Sequence, residues 1–208
     1  MIVKICGLTN AEDTRSAVDA GASALGFNFW PGSPRYIAPA AAEALLELVP
    51  AGVWKVGVFV NEPPDKVRQL AARLGLDVVQ IHGDQAAPEG LRTWKAISVK
   101  QGFHVEQLRE TAVEAFLLDA PAGPQHGGTG RTFDWSLLQA KPPAASCKIV
   151  LAGGLDASNV GDAIQAVRPW GVDACSRLES GPGKKDHRKV MEFVRAALHY
   201  QISSEGLR

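Results

Sequence analysis

The sequence predicts an α/β protein that folds as a single (β/α)8 barrel, also called a TIM barrel. Eight short apolar runs recur along the 208 residues, helical periodicities separate most of them, and this length suits one such domain better than two. The runs predict strands at residues 2–6, 24–29, 54–60, 77–82, 94–99, 115–119, 148–152 and 171–175.

Amphipathic helices are predicted where apolar residues recur at i, i+3, i+4 and i+7. Thr9 with Glu12 forms a capping-box pattern after the first strand, and Asp156 or Ser158 is predicted to cap the helix after the seventh. The segments after the fourth and sixth strands are less periodic and predict short or irregular helices. The periodic stretches are residues 41–48, 67–74, 160–167 and 190–197.

The alternative α/β architecture is a doubly wound open sheet. It usually has fewer strands, and a Gly-rich fingerprint often follows its first strand, which Gly-Leu-Thr at residues 7–9 does not match. No linker divides the chain, because the Gly-rich residues 121–132 lie inside the strand–helix pattern. We therefore expect one catalytic barrel domain at residues 1–200 and a frayed C-terminal tail at residues 201–208.

Composition and charge indicate the compartment and the partners. The 22 basic and 22 acidic residues give zero net charge, so no basic surplus is present to neutralise nucleic-acid phosphates. No apolar run approaches the roughly 18 residues of a membrane span, and the first residues resemble a strand, not a signal peptide. The 3 cysteines lack a CxxC motif and the 5 histidines form no metal-binding pair. We expect a cytoplasmic protein, monomeric or homodimeric, that binds no metal, nucleic acid or membrane.

Polar side chains gather at the C-terminal strand ends, where barrels build their active sites. Cys6 precedes a predicted helix N-terminus and shares a strand face with Lys4, and both features favour a thiolate. Burying the Asp119 carboxyl at the end of an apolar strand costs several kcal/mol unless it is paired or functional. Each of these residues also has a purely structural interpretation. Cys6 could be a small core cysteine, Asp119 could brace a loop, and His82 could be a hydrogen-bonded core histidine. The inward pairs predicted by strand alternation are Lys4 with Cys6, Gln80 with His82, Leu117 with Asp119, and Asp173 with Cys175.

Loops at the same end of the barrel carry anion-binding signals. Gly153 and Gly154 follow the seventh strand and Ser176 follows the eighth, where barrels often bind phosphate through backbone N–H groups. A tight turn would also explain the two glycines. Arg35 lies on a proline-stiffened loop and is suited to bidentate binding of a carboxylate. The Gly-rich residues 127–130 are either a loop that closes over a ligand or a plain connector.

These motifs together resemble the phosphoribosylanthranilate isomerase family. They occur in the family's order over nearly the whole chain, which is more specific than any single motif. The matching strings are Lys-Ile-Cys-Gly-Leu-Thr at 4–9, Gly-Phe-Asn-Phe at 26–29, Ser-Pro-Arg-Tyr at 33–36, Val-Gly-Val-Phe-Val-Asn at 56–61, Val-Gln-Ile-His-Gly at 79–83, Leu-Asp-Ala at 118–120, Gly-Gly-Thr-Gly at 127–130, Phe-Asp-Trp at 133–135 and Leu-Ala-Gly-Gly-Leu at 151–155.

The resemblance implies an enzyme of tryptophan biosynthesis with a small phosphorylated substrate and no cofactor. The family converts N-(5′-phosphoribosyl)anthranilate to 1-(2-carboxyphenylamino)-1-deoxyribulose 5-phosphate by an acid–base Amadori rearrangement. By this resemblance Cys6 is the general base, Asp119 is the general acid, and Arg35 holds the anthranilate carboxylate. The remaining residues expected to bind the substrate are Gln80, His82 and Asp173, the last of which orients substrate hydroxyls.

The expected phosphate site departs from the family pattern after the eighth strand. The family sequence Asp-Val-Ser-Ser-Gly-Val-Glu is replaced by Asp-Ala-Cys-Ser-Arg-Leu-Glu at residues 173–179, so Arg177 stands where the family has glycine. We expect Gly153, Gly154, Ser176 and Arg177 to hold the phosphate, the arginine through an added charged contact. Alternatively, Arg177 points to solvent or narrows the site.

Two other functions remain open at the level of sequence. The chain could be a related barrel aminoaldose isomerase of histidine biosynthesis, or one enzyme serving both pathways. That reaction class normally uses two aspartates, whereas the base position here is Cys6. The chain could instead be an inactive phosphate-binding paralogue, which Arg177 supports and which the presence of both Cys6 and Asp119 opposes.

Overall fold

The computed structural model is a closed barrel of eight parallel strands in sequential order. It describes residues 1–108, 112–121, 132–138 and 147–205. The predicted barrel is confirmed, and every predicted strand end lies within one residue of the observed one. The strands are β1 (Ile2–Cys6), β2 (Ala24–Asn28), β3 (Trp54–Val60), β4 (Val78–His82), β5 (Thr93–Ser98), β6 (Ala115–Asp119), β7 (Lys148–Leu151) and β8 (Gly171–Ala174).

The barrel has an inner and an outer core. The interior contains a small apolar cluster, while the larger cluster lies between the strands and the helices. At the N-terminal end of the strands, the rings of Trp54, Trp94 and Trp170 pack with centroids 5.8, 5.9 and 6.1 Å apart. These rings fill the barrel interior at that end, which leaves the interior space at the opposite end of the barrel for a cavity.

In the described part of the chain, five α-helices cover the outside of the barrel. Helix α3 shows the usual pattern, because it buries an apolar face formed by Val67, Ala71 and Leu74. Residues 83–92 after β4 form no helix, and the described residues after β5 and β6 contain only the 3₁₀ turns Val105–Gln107 and Trp135–Leu138. The helices are α1 (Ala11–Asp19), α2 (Pro39–Leu46), α3 (Pro64–Leu74), α4 (Val160–Val167) and α5 (His187–Glu205).

Both predicted helix caps are wrong by a few residues. Asn10, not Thr9, caps α1, because its side chain accepts a 2.8 Å hydrogen bond from the Asp13 N–H while the Thr9 hydroxyl donates to the Gly183 carbonyl at 2.6 Å. Asp156 accepts from the Ser158 N–H at 2.8 Å within the turn before α4, whose N-cap position is Asn159. Thr9 is thus engaged in a tertiary contact and Asp156 in a local turn, so neither side chain caps the helix that the local pattern assigned to it.

A short hairpin follows β8 and returns over the top of the barrel. It consists of β9 (Glu179–Gly181) and β10 (Lys184–Lys185), which pair antiparallel. Helix α5 then continues to Glu205, and so includes residues 201–205 of the tail predicted to fray. Residues 206–208 and residues 122–131 of the Gly-rich loop lie outside the described residues. Among the described helices, none is long and apolar enough to cross a membrane.

Candidate active site

A cavity opens at the C-terminal ends of the strands. Its walls come from the ends of β1, β2, β3, β4, β6 and β8 and from the loop after β2. Because all the strands are parallel, their C-terminal ends meet here, although the residues are far apart in sequence. The cavity brings together six of the predicted site residues, which are Cys6, Arg35, Gln80, His82, Asp119 and Asp173.

Cys6 lies in a strongly polar corner of this cavity. The fully buried Lys4 donates a 2.8 Å hydrogen bond to Asp173 across the β1–β8 seam, and it also hydrogen-bonds the Cys6 sulfur. Burial alone would lower the pKa of Lys4, but the charges and hydrogen bonds of Asp173 and Cys6 together outweigh burial and raise that pKa. A hydrogen bond from the Cys175 thiol, aided by the Lys4 charge, lowers the pKa of Cys6 to about 6. Cys6 is therefore largely a thiolate at neutral pH.

Asp119 has the opposite electrostatic environment. Desolvation of its carboxyl group, together with the negative charges of Asp173 and Cys6, raises its pKa to about 7. The carboxyl group is thus substantially protonated near neutral pH. The loop after β7 presses close to it, because a Cβ at Gly153 would lie 2.7 Å from the Ala120 nitrogen and 3.3 Å from Asp119 Oδ1. Gly153 also has a φ of +89°, so a glycine is required there.

Gln80 and His82 form a polar pair on the β4 wall. Gln80 Nε2 and His82 Nε2 lie 2.8 Å apart, within hydrogen-bond distance. In the part of the chain that the structure describes, the buried Gln80 Oε1 has no hydrogen-bond partner. A buried amide oxygen without a partner costs about 1–3 kcal/mol, and a donor from a bound molecule would remove that cost.

Arg35 is held by a carboxylate that the sequence analysis did not single out. Its Nε and Nη2 donate to the two carboxylate oxygens of Glu179 at 2.8 and 2.7 Å, and Lys185 Nζ lies 2.9 Å from Glu179 Oε1. Burial alone would raise the pKa of Glu179, but the bonds from Arg35 and the charge of Lys185 outweigh it and hold that pKa low. These three buried side chains, Arg35, Glu179 and Lys185, are called the cationic triad below.

The four residues predicted to bind phosphate lie beside this cavity and are not among those that line it. Gly153 and Gly154 have φ values of +89° and +58°, and the Gly154 carbonyl accepts a 2.9 Å bond from Asn159. Ser176 begins a 3₁₀ turn after β8. Arg177, whose side chain is 39% exposed, forms a 2.7 Å salt bridge with Asp156. The observed contacts of Arg177 thus favour the solvent-facing alternative.

The fold and the cavity define an α/β barrel of the enzyme type, with a polar cavity at the C-terminal strand ends in which a thiol and a carboxyl group have opposite pKa shifts. The sequence matches the family model for N-(5′-phosphoribosyl)anthranilate (PRA) isomerase over residues 3–196. It is 48% identical over 200 residues to the N-(5′-phosphoribosyl)anthranilate isomerase of Solibacter usitatus, covering 95% of this chain and 97% of that protein. The Pelobacter propionicus isomerase is also 48% identical, with 94% of each chain covered.

Solved structures agree with the sequence matches. The phosphoribosyl anthranilate isomerase from Thermotoga maritima has a TM-score of 0.86 at 41% identity, over 96% of this chain and all of that one. A phosphoribosyl anthranilate isomerase in complex with reduced 1-(o-carboxyphenylamino)-1-deoxyribulose 5-phosphate has a TM-score of 0.83 at 38% identity, over 96% of this chain. The chain therefore belongs to the N-(5′-phosphoribosyl)anthranilate isomerase family, as the sequence resemblance indicated. Its activity is the aldose–ketose isomerisation of tryptophan biosynthesis.

Three residues of the site differ from what sequence reasoning expected. From the sequence, Cys175 could not be assigned to structure or to function, and in the structure its thiol hydrogen-bonds Cys6. Glu179 carried a signal, because it preserves the last position of the family's loop pattern. Lys185 carried none, since a lysine pair in a polar loop usually indicates solvent exposure, yet its side chain is 0% exposed.

Proposed function

We propose that Cys6 and Asp119 perform this isomerisation as general base and general acid. The observation that carries the proposal is the pair of opposite pKa shifts in one cavity, to about 6 for Cys6 and to about 7 for Asp119. Near neutral pH the thiolate and the protonated carboxyl coexist, which is the combination an acid–base rearrangement needs. Intact Cys6 and Asp119 in these states favour an active enzyme over an inactive paralogue.

The reaction then proceeds through one proton transfer from Asp119, one to Cys6, and a final tautomerisation. Asp119 protonates the ribose ring oxygen, the bond from C1 to that oxygen breaks, and the ring opens to a protonated Schiff base. The Cys6 thiolate removes the proton from C2, and the electron pair of that C–H bond moves toward the iminium nitrogen to give an enolamine. Tautomerisation moves the C2 hydroxyl proton to C1 and yields the ketone. Exchange with solvent returns Cys6 to the thiolate and Asp119 to the acid.

The other cavity residues are assigned to parts of the substrate. Arg35 binds the anthranilate carboxylate, and Asp173 and His82 contact the sugar hydroxyls. The Gln80 carbonyl oxygen, buried without a partner among the described residues, accepts a hydrogen bond from one of these hydroxyls. The phosphate is bound by backbone N–H groups of the loops after β7 and β8, at Gly153, Gly154 and Ser176, with Arg177 at the rim.

We extend the proposal to compartment and assembly. The neutral charge balance and the absence of a CxxC motif support a cytoplasmic enzyme that uses no metal, cofactor or nucleic acid. A monomer or a homodimer is proposed, and one related Thermotoga maritima enzyme is described as dimeric. Sedimentation at micromolar concentration distinguishes the two states.

The experiment that tests the acid–base pair uses purified enzyme with phosphoribosylanthranilate made in situ, and follows the loss of anthranilate-type fluorescence. Cys6→Ala and Asp119→Asn are each expected to lower kcat by about 10²–10⁴-fold or more. Both should bind a reduced product analogue about as well as the parent. Cys147→Ala is the matched control, because that thiol lies outside the cavity. Near-native turnover of Cys6→Ala would show that another group is the base.

A further inference from the structure

The cationic triad fixes one edge of the Arg35 guanidinium. Glu179 receives the side-on edge, formed by Nε and Nη2, through hydrogen bonds of 2.8 and 2.7 Å. A guanidinium has five N–H donors, so this pairing leaves the end-on edge, formed by Nη1 and the second Nη2 hydrogen, for another anion. Because Arg35 also lines the cavity, a bound carboxylate can meet that end-on edge bidentately.

The stem of Arg35 is also restrained. A Cβ atom at Gly7 would lie only 2.6 Å from Arg35 Cδ. Arg35 therefore packs its side chain directly against the backbone that follows β1. Its own N–H donates to Ser33 Oγ at 3.1 Å. The side chain of Arg35 is 9% exposed and that of Glu179 is 4% exposed. The guanidinium is therefore held at its stem and along one edge before any ligand arrives.

The charges of the cationic triad do not cancel. Arg35 and Lys185 carry two positive charges against the single negative charge of Glu179, and the Lys185 side chain is 0% exposed. The low pKa of Glu179 keeps its carboxylate ionised, so the triad retains one net positive charge beside the cavity. The Cys6 thiolate in the same cavity interacts with both Arg35 and Lys185 and offsets part of this positive charge, and a carboxylate bound directly at Arg35 would pair with it at hydrogen-bond distance.

We propose that Glu179, itself held by Lys185, is a positioning residue that aims the end-on edge of Arg35 at the substrate carboxylate and so selects an N-aryl group that carries a carboxylate. This inference rests on the proposed role of Arg35. It assigns Glu179 no contact with the substrate. Its effect is to remove the cost of ordering a long side chain at the moment of binding.

The test is Glu179→Gln, with Glu179→Asp as a second variant that keeps the charge but shortens the reach to Arg35. Two substrates are compared: phosphoribosylanthranilate, and the analogue made from aniline, which lacks the carboxylate. We expect KM for the anthranilate substrate to rise about tenfold or more in both variants, with kcat changed less than about threefold. Kinetic constants for the aniline analogue should stay within about twofold of the parent's.

Two further variants separate orientation from general damage. In an Arg35→Ala background, Glu179→Gln should add no further rise in KM, because the residue through which it acts is gone. Glu114→Gln is the matched control, since it removes a carboxylate that pairs with Lys148 at 2.9 Å and does not line the cavity. It should leave both KM values unchanged.

The KM values for the two substrates distinguish a positioning role of Glu179 from a general structural one. Equal KM losses for both substrates, or an additive loss in the Arg35→Ala background, would overturn the positioning role of Glu179 while leaving the role of Arg35 intact. If Arg35→Ala itself fails to discriminate between the two substrates, both this inference and the assignment of Arg35 are wrong. The inference is supported if the Glu179 variants raise KM for the anthranilate substrate alone, and if Glu179→Gln causes no further rise in the Arg35→Ala background.

Discussion

The two perturbed pKa values predict a narrow bell-shaped pH profile for kcat/KM. The productive enzyme has Cys6 ionised and Asp119 protonated. Activity must therefore rise as pH increases through about 6, where Cys6 loses its proton, and fall as pH increases through about 7, where Asp119 loses its proton. The optimum is expected between these two values. Because the groups interact, the limbs describe the pair and not either residue alone.

The size of the effect follows from the same two values. With a pKa of about 6 for Cys6 and about 7 for Asp119, roughly 60% of the enzyme is productive midway between them, and roughly 9% is productive one pH unit above the second. We therefore expect an about sixfold fall in kcat/KM from the optimum to a pH near 8. A flat profile from pH 5 to pH 9 would contradict the assignment of both groups.

Cys175→Ala tests what sets the rising, low-pH limb of the kcat/KM profile. The Cys175 thiol donates the hydrogen bond that is the largest influence lowering the Cys6 pKa, so its loss should move the rising limb to higher pH. The falling limb should move less, because desolvation is the largest cause of the raised Asp119 pKa and the charge of Cys6 is a smaller one. Cys175→Ser keeps a donor and should restore much of the parent profile. The assay is the fluorescence progress curve at subsaturating substrate in buffers of constant ionic strength, and an unmoved rising limb in Cys175→Ala would refute the reasoning.

Three substitutions extend these predictions. Lys4→Met should lower the unfolding free energy in urea by about 3–5 kcal/mol, because it leaves Asp173 as an uncompensated buried charge, and a loss below about 1 kcal/mol would contradict this. Gly153→Ala should lower kcat by about ten- to a hundredfold by displacing Asp119, whereas native turnover would show that the loop relaxes. Arg177→Ala should change phosphate affinity, measured by inhibition with inorganic phosphate, by less than about fivefold, since a partly exposed ion pair contributes about 1 kcal/mol or less. A tenfold loss of phosphate affinity in Arg177→Ala would show that Arg177 contacts the phosphate.

Local pattern was sufficient to predict the barrel and most of the cavity. Several strands are apolar runs that end in a polar residue, so both the strand and its candidate site residue could be identified from sequence, as with β4 and His82 or β6 and Asp119. The triad could not be found this way. Arg35 and Glu179 are 144 residues apart, and only the closed barrel shows that they pair. Arg177 shows the same limit, because its partner Asp156 lies 21 residues away on another loop.

The four predicted amphipathic helices are present, but the two helix-cap predictions failed for a different reason. Thr9 had the residue type and spacing of a cap, but its hydroxyl is engaged by Gly183, 174 residues further along the chain. Neighbouring Asn10 then takes the capping position, which any short polar side chain can fill. The connection after β4 buries little apolar surface, so the periodicity of the sequence contained little information about it. Capping preferences rank the candidate residues at a helix start, but they contain no information about which of those side chains will hydrogen-bond a distant loop.

The seam between the first and last strands has a consequence for how the enzyme matures. Lys4 and Asp173 are 169 residues apart, so their pairing is among the last contacts that a chain emerging from the ribosome can make. Until β8 docks, neither Lys4 with its partner nor Cys175 can act on Cys6, and that thiol keeps the sluggish reactivity of an ordinary cysteine. Closure of the barrel both lowers the pKa of Cys6 and buries its side chain to 9% exposure, so the rate at which an alkylating reagent labels Cys6 should change when β8 docks. A brief pulse of the reagent at successive times of refolding would therefore time the final step of assembly.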